Sequence, residues 1–242
     1  MTITTRSTIK PMADTALYDL MSWMSPSWPI GAFAHSSGLE WAVEAGQVRD
    51  RATTAEWIAT LIEHGPLRND VVLFVHAWRA AGSGDAARLQ DVADLAAATQ
   101  TSFERRLEAT AQGAAFRRIA LASCEDTEFA ALLTAIEDED LAYPVAAAVL
   151  FAAHDIALQP GLTAWLHGAA ANLVSAAQRL VPLGQTDGQK VLRTLREPIF
   201  AVVEAALTLP DDDPFEALGG CTLLAEIGCM AHETQYTRLF RT

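Results

Sequence analysis

Lysine is almost missing from this chain. Lys10 and Lys190 are the only two among 17 basic residues, and 30 carboxylates leave a formal net charge of -13. So acidic a chain offers no broad basic face to phosphate, which excludes nucleic acid as a partner. Contacts with other proteins fall instead to selected arginines. Cysteine is scarce too. Cys124, Cys221 and Cys229 are an odd number without paired spacing, which argues against a disulfide framework and for a reducing compartment. Long apolar runs are lacking. The longest, Leu141 to Ala153, ends at His154-Asp155 and is too short for a bilayer. The opening "MTITTRSTIKPMADT" has no apolar core of the signal-peptide kind. The expectation is a soluble cytoplasmic protein with no membrane partner.

Strand signals are also nearly absent. What is present is alanine, apolar residues at helical spacing, and Gly or Pro as punctuation. With 51% hydrophobic content over 242 residues, the chain can build one sizeable core. The fold expected is all-α, a single-domain bundle of roughly ten helices over 15–234. An N-terminal tail, 1–14, precedes it and a C-terminal tail, 235–242, follows. The spacing predicts helices over 15–24, 40–45, 54–63, 70–81, 86–98, 102–122, 126–136, 144–158, 163–180, 186–208 and 221–235. Thr53 or Thr54, Ser102, and Thr186 or Asp187 are the expected N-caps. "QPG" at 159–161 is expected to end one helix, and Pro198 to kink another.

Catalytic and nucleotide motifs are missing as well. In "WPIGAFAHSSGLEWAVEAG", Gly31, Gly38 and Gly46 fit neither GxGxxG nor GxxxxGK[ST], and no strand precedes them. His35, Ser36 and Ser37 set a base beside hydroxyls, but GxSxG is absent and no third group is in sight. The stretch reads as a corner. Pro29 and Gly31 turn the chain, Ser36 or Ser37 caps the next helix with Glu40 at capping-box distance from Ser37, and Gly46 ends it.

Three further features stand out. Cys229 and His232 are three apart and can share a helix face toward a soft metal, although two ligands make no closed site. The acidic runs Glu137 to Asp140 and Asp211 to Asp213 read as solvated helix borders, with cation binding as the alternative. In "LTAWLHGAAANLVSAAQRL", an apolar stripe from Leu162 to Leu180 lies beside a small polar face of Gly168, Asn172, Ser175 and Arg179. Solvent faces usually carry longer charged side chains, so this face reads as an interface. The chain closes on "HETQYTRLFRT", where Tyr236, Leu239 and Phe240 alternate with Arg238 and Arg241. Such a segment either folds back on its own core or is kept for a partner.

"SPSWPIGAFAHSSGLEWAVEAG", "AAANLVSAAQRLVPLGQTDGQKVL" and "HETQYTRLFRT" resemble the UreF-type urease accessory proteins, in order, from Ser25 to the end. "TSFERRLEATAQGAAF" and "YPVAAAVLFAA" look like the same family. Where relatives often read "SRELREE", this chain has "SFERRLEAT", with Ser102, Arg105 and Glu108 available for the same parts. His35 stands where many members have an aromatic residue or serine. The resemblance implies a homodimer without enzymatic activity or cofactor. Such a protein bridges a UreD/UreH-type scaffold and the UreG-type GTPase while nickel enters apo-urease. It assigns the scaffold contacts to Tyr236, Arg238, Leu239, Phe240 and Arg241, in a tail that orders on binding. The GTPase face falls at Arg179, with Ser175 and Asn172 beside it. A shaped surface falls at Pro29, Gly31, Phe33, Ser36, Gly38 and Glu40. A nickel or zinc carrier in the same pathway, using Cys229 or His232, is the competing reading. A helical hydrolase using His35 and Ser36 is a third.

Overall fold

The computed structural model describes residues 13–124, 127–136 and 141–242. Among them are eleven α-helices, two short 3-10 turns and no strand. The helices are α1 Asp14–Trp23, α2 Leu39–Glu44, α3 Arg51–Glu63, α4 Pro66–Ser83, α5 Ala86–Ala98, α6 Phe103–Ser123, α7 Thr127–Ala135, α8 Tyr143–Ala153, α9 Leu158–Leu180, α10 Gln185–Leu207 and α11 Leu223–His232.

Helix α8 explains the architecture. Its sequence, YPVAAAVLFAA, has no polar face, and Pro144 through Phe151 are all buried. A helix that is apolar all round has to be enclosed. Here α4, α6, α7 and α9 surround it. Phe74 of α4, Phe151 of α8 and Trp165 of α9 meet with ring centroids 5.6 to 5.8 Å apart. Trp23 of α1 stacks on Phe151 at 5.8 Å. Close approach depends on small residues. Gly113 of α6 is buried, and a Cβ there would strike the carbonyl oxygen of Leu141 at the entry to α8.

Several local expectations change. Pro160 and Gly161 do not break a helix. Pro160 lies in the first turn of α9, where a backbone N–H has no helical acceptor in any case, and the Gly161 N–H already donates to the Ala157 carbonyl at 3.0 Å. Gly161 is there because Phe151 and Ile156 press on it. Helix α3 is capped by Asp50, with Thr53 completing the capping box from the N3 position. Gly184, not Thr186 or Asp187, precedes α10. Ser102 does cap α6, accepting from the Arg105 N–H at 3.2 Å. Pro198 lies inside α10, one continuous helix. Of the acidic runs, residues 137–140 lie outside the described residues. Asp211 is clamped by Arg88 and Arg79, and Asp213 caps a 3-10 turn at Phe215. The carboxylates of Asp211 and Asp213 thus hold the loop before α11 in place.

Replacing Gly113 with alanine should cost about 2–3 kcal/mol, because the obstacle is backbone rather than a movable side chain. Thermal or urea unfolding of Gly113→Ala checks this. An unfolding midpoint equal to that of the parent would show that α6 and α8 can separate cheaply.

Candidate functional site

The corner between α1 and α2 is built on left-handed backbone. Gly31, Ser37 and Gly38 have φ of 76°, 52° and 78°. Gly38, rather than Ser36 or Ser37, is the N-cap of α2. Its side-chain-free surface is needed twice. The backbone is left-handed, and a Cβ would come within 2.9 Å of Cys229 Sγ on α11. Gly228, one residue earlier, lies equally close to Trp41. Helices α2 and α11 therefore cross almost backbone to backbone. Ser36 accepts weakly from the Glu40 N–H at 3.4 Å, while Ser37 turns away toward α6. Phe33 stays 70% exposed on its 3-10 turn, and Pro29 is exposed.

The C-terminal segment folds back onto this corner. The Arg241 N–H donates to the Ala34 carbonyl at 2.8 Å, and the Ser36 N–H donates to the Thr242 carbonyl at 2.6 Å. His35 Nδ1 and Thr242 Oγ1 lie 2.7 Å apart. Glu40 accepts from the backbone N–H of Leu239 at 2.6 Å and of Phe240 at 2.9 Å. Its carboxylate also meets His232 Nε2 at 2.9 Å. On the opposite edge of that ring, Nδ1 lies 2.8 Å from Glu104, which also accepts from Arg238 at 3.2 Å. Burial pushes the Glu104 carboxyl up, and the hydrogen bond from His232 pulls against it. Phe240 is buried among Leu39, Ala42, Val48, Ala176, Ala177 and Val181. The Arg179 guanidinium lies over its ring, 4.1 Å from the centroid.

Three stretches distant in sequence thus meet at one place. They are the corner, the end of α9 and the C-terminal segment. The proposed tail contacts divide. Phe240 faces inward, while Tyr236, Leu239 and Arg241 face solvent and Arg238 is half-covered by its ion pair. Of the residues expected on a presented surface, Ser36, Gly38 and Glu40 are buried instead, and Glu40 holds the tail. Ser175 and Arg179 are exposed, whereas Asn172 is half-buried and lines a small cavity.

That cavity, about 50 Å³, is bounded by Ser37, Asp70, Arg105 and Glu108 among others. It admits a few waters at most. Arg105 is buried and donates to Glu108 at 2.9 Å and to Ser37 at 3.1 Å, with Asp70 3.6 Å away. The Ser37 hydroxyl reaches Glu108 at 2.8 Å. The neighbouring carboxylates and the hydrogen bond to Glu108 hold the Arg105 pKa above its usual value, against its own burial. Burial raises the Asp70 carboxyl to about 6, against the pull of Arg105. Sequence reasoning singled out neither Asp70 nor Glu104.

The competing chemistries find no support in this geometry. Both His232 nitrogens face carboxylates, and burial pushes the Cys229 thiol up to about 12, so neither is a ready ligand. Among the described residues no group of three or more His, Cys, Asp or Glu is arranged to hold a metal. His35 pairs with Thr242 rather than with Ser36, so the two residues of the hydrolase reading are not brought together.

Asp70 makes stability depend on pH in a definite direction. Its folded pKa lies above the unfolded value, so its stabilising share is complete below about pH 4 and is lost as pH rises through 6. Asp70→Asn should therefore match the parent at pH 4 and exceed it by about 2–3 kcal/mol at pH 7. Urea unfolding at both pH values checks this. A constant difference between the two proteins would refute it.

The comparisons with known proteins agree on one family. The UreF family model matches residues 48–196. A urease accessory protein UreF of Rhodopseudomonas palustris (strain BisA53) is 49% identical over 228 residues, covering 94% of this chain and 93% of the relative. Another from strain HaA2 is 47% identical over 227 residues, covering 94% of each. One from Bradyrhizobium diazoefficiens is 46% identical, covering 94% and 92%. All three carry the name of an accessory protein to an enzyme, not of the enzyme itself. Composition, fold and similarity along nearly the whole length lead to the same place: this chain belongs to the UreF family of urease accessory proteins.

Proposed function

We propose that this accessory protein acts in the cytoplasm as a homodimeric adaptor. It bridges a UreD/UreH-type scaffold and a UreG-type GTPase, and governs GTP-dependent delivery of nickel to apo-urease. Nickel is the cargo of the assembly and not a resident cofactor of this chain. The observation that carries the reading is the meeting of the corner, the end of α9 and the tail around Phe240 and Arg179. A protein whose partner-like stretches converge on one surface is suited to assembly.

The scaffold side of the proposal lies on the outer face of the tail. Tyr236 and Leu239 are exposed there, and α11 adds an exposed stripe of Leu223, Leu224, Ile227 and Met230. Apolar groups left in water at helical spacing are the usual raw material of an interface. The GTPase side lies at Ser175 and Arg179. Reciprocal fit at both sides would let one adaptor hold scaffold and GTPase together, raising their effective concentration for each other.

The two sides can be tested separately. Tyr236→Ala combined with Leu239→Ala should weaken capture of the scaffold about a hundredfold and leave urease without nickel. Pull-down with purified partners and metal analysis of the resulting urease measure this. Full activation by that variant would sink the scaffold assignment. Arg179→Ala should leave scaffold affinity within about tenfold, since it loses only one cation–π contact to the tail. It should nevertheless disturb GTPase binding or turnover. Unchanged GTPase behaviour and unchanged activation would count against Arg179.

A further inference from the structure

The loop between α10 and α11 crosses α4 and is fastened to it at both ends by polar side chains. At the end nearer α11, Asn69 accepts from the Gly219 N–H at 3.2 Å and the Gly220 N–H at 2.8 Å, and donates to the Gly220 carbonyl at 3.0 Å. Arg68 donates to the Ala217 carbonyl at 3.3 Å. At the end nearer α10, Arg79 donates to the Pro210 carbonyl at 3.0 Å and stands 3.8 Å from Asp211. Arg88 of α5 pairs with the same carboxylate. The two ends differ in one respect, since only the second is built around a histidine. His76 of α4 is fully buried, and its Nδ1 lies 3.2 Å from the Arg88 guanidinium. A guanidinium can only donate, so Nδ1 has to accept. The ring is then neutral with its proton on Nε2, and Nε2 has no hydrogen-bond partner among the described residues.

A second proton on that ring acts on one end alone. Burial, first, and then Arg88 and Arg79 oppose a charge on His76, while Asp211 and Asp212 favour one less strongly, so the ring titrates below the ordinary histidine range. Once it is charged, Nδ1 has no lone pair left for Arg88. Three cations then crowd one short stretch of loop, and like charges repel most where water is scarce. The other end is untouched, because Asn69 has no titratable group and Arg68 keeps its charge throughout. We propose that His76, Arg79 and Arg88 form an acid-released clasp on residues 210–213: the neutral ring holds Arg88 against Asp211, and its protonation frees the loop at that end only. Residues 217–220 stay docked on Arg68 and Asn69, so the exit from α10 loosens while the entry to α11 keeps its anchor. The clasp is independent of the partners proposed above.

Nitrogen-15 NMR of the full-length chain tests the clasp as pH is lowered from about 7.5 to about 5, the span over which a histidine changes charge. At the start the His76 ring should be the Nε2–H tautomer. Its midpoint should fall below the usual histidine value of about 6.5. Amides of 211–213 should lose order at that same midpoint, read as a fall in their heteronuclear NOE. Amides of Gly219, Gly220 and α8 should keep theirs, which separates opening of the clasp from loss of the fold. His76→Gln, which offers Arg88 a neutral acceptor that cannot titrate, should abolish the step at 211–213. The titration of the parent stands by itself if that variant does not fold. An Nδ1–H tautomer, a midpoint at or above the usual value, or a ring still neutral at the end of the titration would overturn the proposal. So would order at 211–213 that survives protonation, as when Asp211 pairs with the charged ring, or the same step in His76→Gln.

Discussion

His232 is held between Glu40 and Glu104, and that clamp joins α2, α6 and α11, which are far apart in the chain. Removing any one of the three leaves a buried polar group without its hydrogen-bond partner. Much else follows from the clamp. It needs α2 and α11 to lie in contact, which is why Gly38, Gly228 and Cys229 meet where bulkier residues would not fit. It needs α6 to carry acids on an inward face. It also leaves acceptor positions on Glu40 and Glu104 that the C-terminal segment fills. A second buried ionic cluster, around Arg105, lies alongside and ties the corner to α4 through Ser37, Glu108 and Asp70. One end of the molecule is thus organised by charge and hydrogen bonds, which are directional. The rest is organised by the apolar packing around α8, which is not.

This division explains what was legible in the sequence. Helix existence and order could be read because apolar spacing is a local signal, and α5 even has the expected bounds, 86–98. The missed details were tertiary. "QPG" looks like a stop until Phe151 and Ile156 are seen to press on Gly161 inside α9. The serines before α2 look like caps, but the αL backbone of Gly38 makes the corner, and Ser37 goes to Glu108 instead.

The candidate site was legible in outline and not in mechanism. The corner, the end of α9 and the tail could each be picked out by odd composition. That they touch could not, since nothing local relates Phe240 to Arg179. A usable clue to the buried acids was nonetheless present. In α6 the inward residues Phe116, Gln112, Ala109 and Arg105 follow one helical stripe, and on its first turn that stripe runs into Glu104. Charges in line with an apolar stripe are candidates for burial, and buried charges need partners. His232, on a helix otherwise rich in Leu, Ile, Met and Cys, was the complementary half.

The contact between Gly38 and Cys229 has a practical corollary. Cys229 is buried and kept as a thiol, whereas Cys221 is exposed and Cys124 lies between those extremes. A thiol reagent reaches Cys229 only while α2 is lifted away from α11. Its rate of modification is then a clock for the opening of this corner, read against Cys221 as an internal standard for reagent reactivity. The chain carries its own chemical reporter at the joint between the corner and α11.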